Sequence, residues 1–105
     1  MRTKWPKIPS SVRAPGGRIP VTVKPKLVHP DGKECLGLWH ENERELELSA
    51  EMNPSNAWRV YYHELTHVAL TESGLANVLL PIINDEGIDA ICDAVATARM
   101  AERFG

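Results

Sequence analysis

Between Asn53 and Gly74 apolar side chains recur every three to four positions, and steps of about 100° gather Ala57, Trp58, Tyr61, Tyr62, Leu65, Val68 and Ala69 on one face. That period predicts an amphipathic helix of about five turns. Asn53-Pro54 supplies an N-cap and a proline tolerated at the first helical position, and Ser73-Gly74 supplies the stop. A second helix is expected from Asn84 onward, with Ile88, Ile91, Cys92, Val95 and Arg99 on one stripe and Glu86, Asp89, Asp93, Ala96 and Met100 on another. Ala90, Ala94 and Ala98, four residues apart, would let helices approach closely.

Ahead of these helices the period shortens. Val21, Val23 and then Leu27-Val28 suggest one strand, interrupted at Pro25; Glu34 to Trp39 suggests a second; Arg44 to Ser49 alternates Glu and Leu and suggests a third. His29-Pro30-Asp31-Gly32 is a turn cluster, and Glu41-Asn42 can reverse the second strand into the third. The predicted class is α+β: a small twisted, mainly antiparallel sheet of about three strands on the first helix, with a second helix at the C-terminus.

The chain's 105 residues make one domain with a modest core. Its formal charge of −2 is unevenly placed: residues 1–30 hold seven basic side chains and no acidic ones. Arg2, Lys4, Lys7, Arg13 and Arg18, spaced by prolines and Gly16-Gly17, read as an extended basic arm over residues 1–19, ahead of a domain over 20–105. Such an arm could touch a phosphate backbone or an acidic partner, and Trp5 could stack on a base or dock the arm on the domain. Cys35 and Cys92 lie far apart in sequence and read as reduced thiols, with no cysteine expected near the motif below. Neither a secretory leader nor an apolar run of about eighteen residues is present, so no membrane is expected and the cytoplasm is the expected compartment.

The chemistry concentrates in His63-Glu64-Leu65-Thr66-His67. On a helix, residues four apart share a face, so His63 and His67 can offer two imidazoles to one metal ion while the Glu64 carboxylate reaches a water on it. The two histidines fall opposite the apolar face, which argues against a core role. Downstream, the acidic side of the second helix is the source of a third ligand, Asp89 or, one turn earlier, Glu86. Glu86 has an alternative explanation as a first-turn acid favoured by the helix dipole.

The two motifs together resemble the gluzincin-type, thermolysin-like zinc peptidases. In that family a second helix carries Glu-x-x-x-Asp, the Glu on zinc and the Asp orienting the first histidine. The resemblance, from about Leu46 to Phe104, implies zincin-like architecture, Asp89 as ligand where the family has Glu, and Asp93 as the orienting carboxylate. Thr71-Glu72-Ser73-Gly74-Leu75 and Ala90-Ile91-Cys92-Asp93-Ala94 also resemble small phage- and prophage-encoded metallopeptidase-like proteins, which implies the host cytoplasm.

The expected activity is zinc-dependent peptide hydrolysis, with Glu64 as general base to a metal-activated water. The expected partner is a peptide or protein along strand 46–49. The alternatives are a zinc-holding module without turnover, and a nucleic-acid- or partner-binding protein acting through the basic arm.

Overall fold

A computed structural model describes residues 5–105. The elements are β1 (Ser11–Ala14), β2 (Gly17–Lys24), β3 (Gly37–His40), β4 (Glu45–Ser49), α1 (Pro54–Glu72), α2 (Leu75–Leu79) and α3 (Asp85–Phe104). The class is α+β, with a four-stranded sheet where the sequence suggests about three strands, and the sheet is mixed. Its order is β1-β2-β4-β3: β1 pairs antiparallel with β2, β2 runs parallel to β4, and β3 closes antiparallel on β4.

The extra strand comes from the stretch read as a basic arm. Ser11 to Ala14 pair with Pro20 to Gly17 around Pro15-Gly16, and Gly17 takes the left-handed φ of 116° that a side chain would resist. Prolines and glycines that look disruptive in sequence instead form a hairpin turn, and Ile19 between them is fully buried. Before the hairpin, Trp5 packs on Phe104 with ring centroids 4.6 Å apart, and the Pro6 carbonyl accepts a 2.8 Å hydrogen bond from Trp58 Nε1. The arm from Trp5 onward is therefore part of the domain, and the Trp5 ring is engaged by protein. Arg2 and Lys4 lie outside the described residues.

One face of the sheet carries Ile19, Val21, Leu46 and Leu48 onto Trp58, Tyr61, Tyr62 and Val68 of α1. This is the apolar face that the helical period predicts. The Asn53 side chain accepts from Asn56 N at 2.9 Å, Pro54 follows, and Gly74 at φ 80° ends the run. On α3 the Asn84 side chain accepts from Gly87 N at 2.9 Å. Its buried stripe is Ile88, Cys92 and Ala96, so Ala96 belongs to the core and not to the acidic side. Ala90, Ala94 and Ala98 are exposed; close approach to α1 is made through Cys92 and Ala96. Among the described residues, no helix is long and apolar enough to cross a membrane.

The sheet's outer face is held by charge. Glu47, 6 % exposed, lies between Lys24 of β2 and His40 of β3 and pairs with both. Burial alone would raise its pKa, but Lys24 and His40 outweigh it and hold the carboxyl below the ordinary 4.5. A depressed carboxyl stabilises the fold above its unfolded value and loses that contribution as pH falls through the folded one. Glu47→Gln is therefore expected to lower the denaturation midpoint at neutral pH, with the gap from wild type closing in acid below 4.5. A gap that is constant from neutral to acid pH would contradict the ion-pair account.

Trp58 is 1 % exposed and touches sheet, arm and C-terminus together. Trp58→Ala is expected to cost about 3–5 kcal/mol of unfolding free energy in urea titration; a loss under about 1 kcal/mol would mean that this ring is not central to the core.

Candidate metal centre

Helices α1 and α3 pack against each other so that residues four apart on one meet residues four apart on the other. His67 Nε2 lies 2.9 Å from Asp89 Oδ1, and His63 Nδ1 lies 2.7 Å from Asp93 Oδ1. His63 Nε2 is also 3.4 Å from the same Asp89 oxygen. Both imidazoles thus converge on one carboxylate while a second carboxylate holds the outer nitrogen of His63. The rings stand 5.0 Å apart.

This arrangement can be tested for a metal on its own chemistry. The Asp93 contact calls for a proton on His63 Nδ1, and a metal-binding His63 would then turn the lone pair of Nε2 toward Asp89. A lone pair facing a carboxylate oxygen at 3.4 Å is repulsive unless a proton or a cation lies between them. Donors bound tetrahedrally at about 2.0–2.1 Å stand about 3.4 Å from one another, close to the 2.9 and 3.4 Å separations here. Two neutral imidazoles and a carboxylate with an oriented outer nitrogen suit zinc. Asp89, the carboxylate expected to approach the histidines, does reach both imidazoles. Glu86 is exposed in the first turn of α3 and does not line the cleft, where the helix dipole accounts for it.

Glu64 faces the sheet side of the same helix and is 8 % exposed. Its Oε2 lies 3.9 Å from His63 Nε2. Burial raises its proton affinity above the ordinary carboxylate range, opposed by His67 and His63. The close neighbour is Gly37 of β3: a Cβ built there would stand 2.7 Å from Val60 Cγ1 and 2.8 Å from Glu64 Cγ. A strand glycine often marks such a close approach, so Gly37 was readable in the sequence as a contact point although not as part of a site.

Cys92 corrects the expectation that no cysteine approaches the motif. One donor atom from each of His63, His67 and Cys92 lie within 4.8 Å of one another. The residue is fully buried, and burial pushes its thiol up to about 12. Spacing carried a signal here, because Asp89, Cys92 and Asp93 occupy one arc of a helix at 3.6 residues per turn.

The site opens into a cleft of about 630 Å³ lined by His29, Leu36 to Trp39, Asn56, Arg59, Val60 and the site residues His63, Glu64, His67, Asp89 and Asp93. The free strand beside it is β3. Leu46 to Ser49, read from sequence as the edge, is paired on one side with β2 and on the other with β3, so its backbone groups are already used. His29 turns as expected, with Gly32 N donating to its carbonyl at 2.8 Å, yet it lines the cleft.

Asp93→Asn is expected to weaken zinc binding about 10- to 100-fold in competition titration against a chelator, with the helical circular dichroism signal intact. Unchanged affinity would remove Asp93 from the assembly. No family model, curated protein or solved structure matches the chain.

Proposed function

We propose that this chain is a zinc-dependent metallopeptidase of minimal zincin-like, gluzincin-type architecture. The observation that carries the reading is the convergence of His63 and His67 on Asp89, with Glu64 buried beside them at the floor of an open cleft. His63, His67 and Asp89 are the proposed ligands, three protein donors that leave a further position for solvent or substrate. Bound zinc would supply Lewis acidity toward a carbonyl and would lower the pKa of water toward about 7.

The remaining work falls to side chains. Asp93 accepts the Nδ1 proton of His63 and fixes the ring with Nε2 toward the centre. Glu64 takes a proton from the attacking water at its carboxylate and passes it to the nitrogen that leaves as the C–N bond breaks. The free edge of β3 offers backbone hydrogen bonds to an extended peptide, with Leu38 and Trp39 along the cleft wall.

A second reading has one observation in its favour. The buried sulfur of Cys92 near both histidines could serve as a fourth protein donor, and a site closed by four protein ligands is the structural, non-catalytic type. Glu64 separates the two, since it is outside either ligand set. Glu64→Gln is expected to keep zinc and to lower cleavage of an unfolded protein or peptide library about 100-fold or more. Equal cleavage by wild type and variant would contradict the mechanism, and absence of cleavage by the zinc-loaded wild type would favour the closed site.

A further inference from the structure

The interlock between α1 and α3 has a third rung that the metal chemistry does not use. Arg59, His63 and His67 are four apart on α1, and Asp89, Asp93 and Thr97 are four apart on α3. Two rungs join imidazole to carboxylate, whereas the third joins a guanidinium to a hydroxyl: Arg59 Nη2 donates to Thr97 Oγ1 at 3.2 Å. Thr97 Oγ1 donates in turn to the Asp93 carbonyl at 2.8 Å, which fixes its position. A hydroxyl satisfies one of the five guanidinium N–H groups and none of its charge. Of the three carboxylates lining the cleft among the described residues, Asp93 pairs with His63, Asp89 with His67 and His63, and Glu64 lies 3.9 Å from His63. Arg59 is exposed, lines the cleft, and is the one permanently charged cation among the lining residues.

We propose that Arg59 is a specificity-determining residue that receives a carboxylate of the peptide substrate. The proposal rests on the peptidase reading above and adds the substrate class. One rung is four residues of helix, about 6 Å along the axis, and an extended peptide advances about 3.3 Å per residue. The metal site lies between the His63 and His67 rungs, one to two rungs from Arg59, so the carboxylate that reaches Arg59 lies about two to three residues from the scissile bond. A C-terminal carboxylate and an Asp or Glu side chain offer the same planar group to the guanidinium fork. Away from the metal itself, Arg59 is the one permanently cationic side chain among the described residues lining the cleft, so it selects both the group and its position.

The test uses four matched peptide libraries with zinc-loaded protein: amidated neutral, amidated with one Glu, amidated with one Lys, and neutral with a free C-terminus. Cleavage positions are read by mass spectrometry, and affinities by fluorescence anisotropy on the Glu64→Gln variant. Wild type is expected to favour carboxylate-bearing peptides about tenfold, cutting about two to three residues away; preference for the amidated Glu peptides assigns the side chain, and preference for the free C-terminus assigns the terminus. Arg59→Gln is expected to abolish the preference, and Arg59→Glu, in the Glu64→Gln background for binding, to transfer it to Lys-containing peptides. Cleavage with the same preferences in wild type and both Arg59 variants overturns the proposal and leaves the peptidase reading intact. Failure of every library to be bound or cut overturns both.

Discussion

The register between α1 and α3 is the constraint from which the site follows. Each helix places chemistry at intervals of four residues, and the interlock aligns His67 with Asp89 and His63 with Asp93. Ile88, Cys92 and Ala96 bury the α3 stripe next to its acidic one, so the core contact sets the angular position of Asp89 and Asp93. A shift by one residue would turn those carboxylates about 100° from the imidazoles. Packing and chemistry are thus two readings of one helix pair.

The sheet supplies the other boundary. Leu46 and Leu48 anchor β4 against Trp58 and its neighbours, and β3, hydrogen-bonded to β4, is carried over the Glu64 end of the motif helix. Gly37 permits the close approach, which leaves Glu64 buried beneath the strand with its carboxylate at the cleft. Trp39 adds a tether, its Nε1 donating to Thr71 Oγ1 at 3.0 Å in the last turn of α1. The outer face of the same strands is tied by Lys24, Glu47 and His40.

Much of this was legible because helices encode their own faces. The cap at Asn53, the apolar stripe from Trp58 to Val68 and the opposed histidines follow from a period of 3.6, and so does the four-residue spacing of Asp89 and Asp93. The sheet was less legible because pairing is non-local. Nothing near Leu46 to Ser49 reports that β2 will lie parallel beside it and remove its edge. The basic segment misleads for a similar reason: Pro15-Gly16-Gly17 breaks any regular element locally, yet forms the turn of a hairpin whose Ile19 is buried by residues nearly forty positions away. Stripe position alone puts Cys92 on the apolar side, where it is buried, but puts Ala96 with the acids, because its burial depends on how the helix is rolled against α1.

The proposed centre draws on two imidazoles and the Asp89 carboxylate, and the Cys92 sulfur, whose donor atom lies within 4.8 Å of those of both histidines, is the rival donor. Zinc X-ray absorption on the stoichiometrically loaded protein tests this most directly. The account predicts only nitrogen and oxygen neighbours at about 2.0–2.1 Å, with the outer-shell scattering of two imidazole rings. A sulfur neighbour at about 2.3 Å, or scattering from fewer than two imidazoles, would contradict it.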